Sequence, residues 1–282
     1  MTPRIQFPFV FLVVLALQIC PPHDLLAQPA LESGTVSING IDLYYEVTGK
    51  GEPVVLLHGF LETGSMFEPF VGGLSQRYRL IIPDLRGHGG STNPNNEFTM
   101  RQSAKDVFAL LDHLAIEKVK AIGISTGAMT LLHMATQQPN RIEAMVLVGA
   151  GAYYPKACRE ALGGVIADSY PDAEWERLRF LHRHGDEQIR LLLNLFGSFQ
   201  DSYDDMTFTP PWLATIQART LLIHGDHDWC FPVAMMAEIF DAIPNAYLWV
   251  VPNGDHVPIF GTQVPRFIDT TLAFFGGNWE QP

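Results

Sequence analysis

The sequence predicts an α/β fold: a mostly parallel, twisted sheet with helices on both faces and one inserted helical segment. Short apolar, β-branched runs alternate with helix-period stretches along most of the chain, the pattern of parallel strands joined by crossover helices. One run, residues 119–127 (VKAIGISTG), ends at Gly123-Ile124-Ser125-Thr126-Gly127 and passes directly into a helix pattern. Polar residues suited to chemistry follow the ends of several runs, where the crevices of such sheets lie.

The elements follow in chain order. Residues 35–38 and 41–48 read as a hairpin, because Asn39-Gly40 between them is a strong two-residue turn signal. Residues 53–57 (PVVLL) form a buried strand followed by His58-Gly59-Phe60, and residues 78–82 form another leading to Pro83-Asp84-Leu85-Arg86-Gly87-His88-Gly89. Thr99-x-x-Gln102 is a capping box. The helix after it carries Val107, Phe108, Leu110, Leu111 and Leu114, spaced for one buried face. The strand at 118–123 runs into a helix expected to end near Gln138, before Pro139, and residues 142–149 form the next strand. Residues 219–225 (RTLLIHG) and 247–251 (YLWVV) complete the strand set.

Residues 152–213 break this alternation. No convincing strand is found there. Helices are expected over 172–184, ending at Gly185, and over 186–196, with Pro210-Pro211 before a last turn. His182 and His184 are one residue apart on the first helix, so they point to different faces, and no metal-binding pattern stands out in the chain.

The chemistry converges on Ser125. A strand joined directly to a helix needs a very tight turn, and glycines at 123 and 127 remove the side chains that would clash. The serine projects at the tip, near the positive end of a helix, which suits attack on a carbonyl carbon. Downstream, Asp226-His227-Asp228 follows one strand, and Asp255-His256 follows the next on a loop containing Gly254. The order Ser125, Asp228, His256, each after a strand, is that of a nucleophile, its orienting acid and its base.

With the His58-Gly59 loop and the Asp84-x-Arg86-Gly87-x-Gly89 loop upstream, the chain closely resembles the α/β-hydrolase superfamily, in particular its compact members. The resemblance covers roughly residues 34–275. One departure is Ala128, where many relatives carry a further glycine. The resemblance implies Ser125 as nucleophile, His256 as general base and Asp228, three residues after Gly225, as the acid in preference to Asp226. It also implies an oxyanion hole from the backbone N–H groups of Phe60 and Thr126, loop-fixing roles for His58, Asp84, Arg86 and His88, and a helical cap over the site at residues 152–213. An ordinary long helical connection is the other reading of that segment. Leu61, Met129 and Val257 flank the catalytic positions and are candidate pocket walls, as are the bulky residues Leu192, Leu193 and Phe196 of the insertion.

Composition bounds the partners. The 282 residues carry a net charge of −12, which argues against nucleic acid or an anionic membrane surface. Arg4, the apolar run at 9–17 and the small residue Ala27 resemble a secretory signal peptide. The run is too short to span a bilayer. Cleavage after Ala27 would leave Gln28 first and place the protein outside the cytoplasm. Cys20 as a lipoprotein anchor is the lesser reading, because Ile19 before it is not small. The expected organisation is a leader at 1–27, core at 28–151, cap at 152–213 and core at 214–282. Without the leader only Cys158 and Cys230 remain. Export permits a disulfide between them, and two unpaired, partly buried thiols are the preferred reading.

The function expected is hydrolysis of small carboxylic esters, thioesters or lactones with no cofactor. Carbon–carbon bond hydrolysis or perhydrolysis by the same residues is the alternative. A non-enzymatic binding protein on the same scaffold is the third reading. Serine at 125 counts against dehalogenase and epoxide hydrolase chemistry, where relatives use aspartate.

Overall fold

The computed structural model describes residues 31–277 and Trp279. The leader at 1–27 and Cys20 lie outside the described residues. The strands are β1 Glu32–Ile38, β2 Ile41–Thr48, β3 Glu52–Leu57, β4 Tyr78–Pro83, β5 Val119–Ile124, β6 Ile142–Val148, β7 Arg219–Gly225 and β8 Ala246–Val251. They form one sheet of order β1-β2-β4-β3-β5-β6-β7-β8. The pairs β1–β2 and β2–β4 are antiparallel and all others parallel. Asn39 and Gly40 both take positive φ, 44° and 77°, as the expected two-residue hairpin turn requires.

Alternation along each strand divides the apolar residues between the two faces. Val54, Leu56, Ile122 and Ile124 pack with helices α1 (Glu68–Leu74) and α9 (Val264–Phe275). Val55, Leu57 and Ala121 pack with α2 (Met100–His113), α3 (Thr126–Gln137) and α8 (Val233–Ala242). The chain order reverses between β3 and β5, which are neighbours. Their carboxyl ends therefore border the crevice where ligands of such sheets bind.

The α2 cap is half of the box expected. Thr99 accepts the N–H of Gln102 at 3.0 Å, but the Gln102 side chain turns to Asp106 instead of back to Thr99. Asp205, from the segment before β7, accepts the N–H groups of Met100 and Arg101. A distant carboxylate thus supplies what the local box leaves open.

Between β6 and β7 stand α4 (Lys156–Gly163), α5 (Asp172–Leu181), α6 (Asp186–Ser198) and α7 (Pro210–Leu213). The α5 helix stops three residues short of the expected 184. The reason is tertiary: the Gly89 N–H donates to His182 Nδ1 at 2.9 Å, and the Arg183 N–H donates to the Gly89 carbonyl at 3.0 Å. Those bonds hold His182 extended, φ −104° and ψ 123°. The segment contains one strand-like contact, the bridge between Tyr153 and Thr207.

The loop after β4 is held by buried charge. Asp84 accepts the N–H of Gly64 and of Gly90, each at 2.8 Å. Arg86 meets Asp106 of α2 in a bidentate pair, both contacts 2.9 Å, with side chains 4% and 1% exposed. His58 Nε2 accepts the Leu85 N–H at 2.9 Å, which ties the β3 loop to the β4 loop. Removing one partner of a buried pair leaves the other charge uncompensated. Asp106→Ala is therefore expected to lower stability by about 3–5 kcal/mol, read as a shift of the urea unfolding midpoint. A midpoint unchanged from wild type would show that Arg86 finds another partner.

Candidate active site

The site is built from the strand ends upward. β5 passes into α3 with only Ser125 between them. Ser125 has φ 51° and ψ −115°, a region that costs a side-chain-bearing residue on the order of 1–3 kcal/mol. The two glycines make the turn possible. A Cβ on Gly127 would run into the carbonyl of Leu57, and one on Gly123 would lie 2.6 Å from the Ala128 nitrogen. The Ser125 N–H donates to Val148 of β6 at 2.8 Å, and its hydroxyl makes no bond to the helix it caps. That hydroxyl is left for another partner.

The partner is His256, on the loop after β8. Ser125 Oγ lies 2.9 Å from His256 Nε2, and Asp228 Oδ2 lies 2.8 Å from His256 Nδ1. A carboxylate accepts the Nδ1 proton, so Nε2 is free to accept from the hydroxyl. Asp228 Oδ1 accepts the N–H groups of Cys230 and Phe231 at 2.8 and 3.0 Å. Burial pushes the Asp228 carboxyl up, but His256 and these donors outweigh it and hold the group below its usual value. Asp226 is exposed and accepts the Gly254 N–H at 3.2 Å, well removed from this role. Asp255 accepts the Val257 N–H within its own loop.

Phe60 and Thr126 sit on either side of Ser125, at the end of β3 and the start of α3. Among the described residues neither backbone N–H donates to another backbone group. Both residues line a cavity of about 430 Å³ that also holds Ser125 and His256. Leu61, Met129 and Val257, named from the sequence, line it too. A larger open groove of about 810 Å³ runs between the β1–β2 hairpin, the loop after β4 and α6, and contains none of these groups. The smaller cavity is the one tied to chemistry.

The insertion supplies wall residues that belong to no sequence motif. Tyr154, Tyr170 and Arg177 line the cavity, with Trp229 and Phe231 from the loop that carries Asp228. The last two stand one and three residues from Asp228, so adjacency in sequence could have found them. Of the three bulky insertion residues expected there, only Phe196 lines the cavity. Leu192 and Leu193 are fully buried in the core beneath. Phe196 stacks on Phe60, ring centroids 5.3 Å apart and planes 11° apart.

The cysteines correct the preferred reading. Cys158 of α4 and Cys230 are joined in a disulfide across a sequence separation of 72, and both are buried. The sequence could not supply the approach of their Cα atoms, 4.6 Å, which decides the matter. The bond links the insertion to the loop of Asp228. Among the described residues no group of three His, Cys, Asp or Glu side chains is arranged to hold a metal ion, and no helix is long and apolar enough to cross a membrane.

A hydroxyl on a strained turn, an imidazole accepting its proton and a buried carboxylate fixing that imidazole can generate a nucleophile at neutral pH. Known proteins are similar to this chain in sequence and fold. Residues 52–178 match the family model of the alpha/beta hydrolase fold. The serine hydrolase BPHL of Mus musculus is 28% identical over 272 residues, which span 90% of this chain and 91% of that one. The S103A mutant of the meta-cleavage product hydrolase CumD from Pseudomonas fluorescens IP01, complexed with acetates, superposes with a TM-score of 0.73 at 23% identity, over 87% of this chain and 98% of that one. The enol-lactonase from Burkholderia xenovorans LB400 does so with a TM-score of 0.69 at 25% identity, over 86% and 100%. The chain has the alpha/beta hydrolase fold and is an enzyme.

Proposed function

We propose that the protein is a serine hydrolase of carboxylic esters, thioesters or lactones. The observation that carries this reading is the unbroken hydrogen-bonded chain from Ser125 Oγ through His256 to Asp228, 2.9 and 2.8 Å. Ser125 Oγ attacks the carbonyl carbon while His256 Nε2 takes its proton. The oxygen that gains charge is met by the N–H groups of Phe60 and Thr126. The imidazolium, held by Asp228, returns the proton to the leaving group, and an acyl-serine remains. Water then repeats the sequence with His256 as base. The insertion over the cavity sets which acyl groups fit.

Carbon–carbon bond hydrolysis by the same residues is the second reading. The likeness to the meta-cleavage product hydrolase favours it. A protein that leaves every ester intact but cleaves a vinylogous β-diketone would decide for it.

Wild-type protein is expected to turn over p-nitrophenyl esters, and Ser125→Ala to lose on the order of a million-fold in kcat without unfolding. Phe196→Ala should shift the preference among acyl lengths. Near-wild-type turnover by Ser125→Ala would end the mechanism.

Asp228→Asn is expected to lower kcat by roughly four orders of magnitude, through loss of the correct imidazole tautomer. Asp226→Asn should change it little. The two are compared at equal folding, and the opposite ranking would move the acid to Asp226.

Export is part of the proposal. Its support is the short apolar run near Arg4 and the disulfide, a bond that oxidising compartments sustain. Intact mass of protein recovered from the culture medium or periplasm should match a chain beginning near Gln28. A mass that retains residues 9–17 would reject cleavage.

A further inference from the structure

Besides Asp255 and the residues of the proton chain, the cavity is bordered by one pair of opposite charges, and it sits among aromatic rings. Arg177 of α5 donates from Nη1 to Glu62 Oε1 at 2.7 Å and from Nε to Glu174 Oε2 at 2.9 Å. Glu62 lies two residues beyond Phe60, on the loop after β3, so the pair bridges that loop and the insertion. Both side chains line the cavity, with 22% of Glu62 and 29% of Arg177 exposed. Burial pushes the Glu62 carboxyl above its usual value despite the pull of Arg177. That shift marks a charge short of hydration.

The pair is not saturated. Among the described residues Arg177 Nη2 and Glu62 Oε2 have no hydrogen-bond partner, and neither has the hydroxyl of Tyr170, which lines the same cavity. A donor and an acceptor without a protein partner thus belong to two residues already in contact. Much of the rest of the wall is aromatic, with Phe60, Tyr154, Phe196, Trp229, Phe231 and Phe260 contributing rings beside aliphatic side chains.

Charge decides what can occupy that corner. Two carboxylates, Glu62 and Glu174, already share one guanidinium. A substrate carboxylate would add a third negative charge at low dielectric. A substrate ammonium has no lone pair to accept from Arg177 Nη2 and would leave that donor unpaired. A neutral hydroxyl matches both free groups, accepting from Arg177 Nη2 and donating to Glu62 Oε2. A flat ring carrying that hydroxyl suits walls of aromatic side chains, and a cavity of about 430 Å³ holds one ring and an ester group.

We propose that the enzyme selects esters that bear a hydroxylated aromatic ring, and that Arg177 and Glu62 are the specificity-determining pair that holds the ring hydroxyl. The proposal rests on the ester-hydrolase reading and deepens it. A site built to hydrogen-bond a substrate hydroxyl discriminates strongly against the analogue that lacks it, because its own polar groups are then left unpaired.

The test is kcat/KM of the full protein on matched esters whose hydroxyl is not conjugated to the carbonyl. On the acyl side these are methyl 3-phenylpropanoate and its 3- and 4-hydroxyphenyl counterparts. On the alcohol side they are 2-phenylethyl acetate and the same hydroxylated pair. The hydroxylated member of at least one series is expected to be favoured by roughly ten- to a hundred-fold, and its methyl ether to lose that advantage. In Arg177→Met and Glu62→Met, checked by thermal melt, the ratio should fall toward one. Arg177→Lys keeps the charge and the pairing with less risk to folding, but has no second N–H edge, and it should lower the ratio as well. A wild-type ratio near one in both series, with the esters themselves turned over, overturns the proposal alone. So does a ratio that survives in Arg177→Lys and Glu62→Met. Absence of turnover on every ester removes the underlying reading, and the proposal with it.

Discussion

The contact on which the rest depends is the approach of α3 to β3 at the strand-to-helix elbow. Gly127 lies so close to the Leu57 carbonyl that no side chain fits between them. That closeness holds Ser125 at positive φ and presents its hydroxyl above the sheet. It also places the β3 loop beside Ser125, because β3 and β5 pair in register, Leu57 opposite Gly123. The strain in one residue is small against the burial of the central strands, which are almost wholly enclosed. The conformation of Ser125 and its nearness to the β3 loop are therefore consequences of one packing constraint.

Asp228 and His256 are brought together by a second adjacency. β7 and β8 pair with Gly225 opposite Val251, so the loops that follow leave the sheet side by side. The Asp228 loop is then closed from several directions. Its own carboxylate accepts two loop N–H groups, the buried His224 ring bonds the Phe231 carbonyl at 2.8 Å, and the disulfide fastens Cys230 to α4. In the chain-entropy account a crosslink across this length of chain stabilises the folded state by about 4 kcal/mol. Here its position has a further effect, since the fastened residue is also a donor to the Asp228 carboxylate.

The strands, the elbow and the order of Ser125, Asp228 and His256 were legible because they depend on local rules. Alternating apolar runs, glycines at a forbidden turn and polar residues after strand ends all leave marks within a few residues. What was illegible depends on contacts between distant segments. The end of α5 is set by Gly89, and the part of the α2 cap that Thr99 leaves open by Asp205. The disulfide needed a distance that no spacing encodes. Leu192, Leu193 and Phe196 read alike as apolar helix residues, yet the first two face the core and the third the cavity. Arg177 and Glu62 carried no signal at all, because their meaning is the meeting of an insertion helix with a sheet loop.

Those long-range contacts define how the insertion relates to the chemistry. The groups in the proton chain all stand on loops of the sheet, and one side of the cavity, with Tyr154, Leu162, Tyr170, Arg177 and Phe196, comes from the insertion. The two parts are joined around the site by bonds of different kinds. Gln188 and Arg183 donate to the carbonyl groups of Gly87 and Gly89, and His182 accepts the Gly89 N–H. Phe196 stacks on Phe60, Arg177 pairs with Glu62, and Cys158 is covalently bound to Cys230. A rigid swing of the insertion away from the sheet would break these contacts together and would require cleavage of a covalent bond. Side-chain rotation at Phe196 or Trp229 breaks none of the backbone ties. The same contacts mean that a change in a wall residue is felt by the loop bearing Phe60 or the loop bearing Asp228, so selectivity and catalytic geometry share their supports.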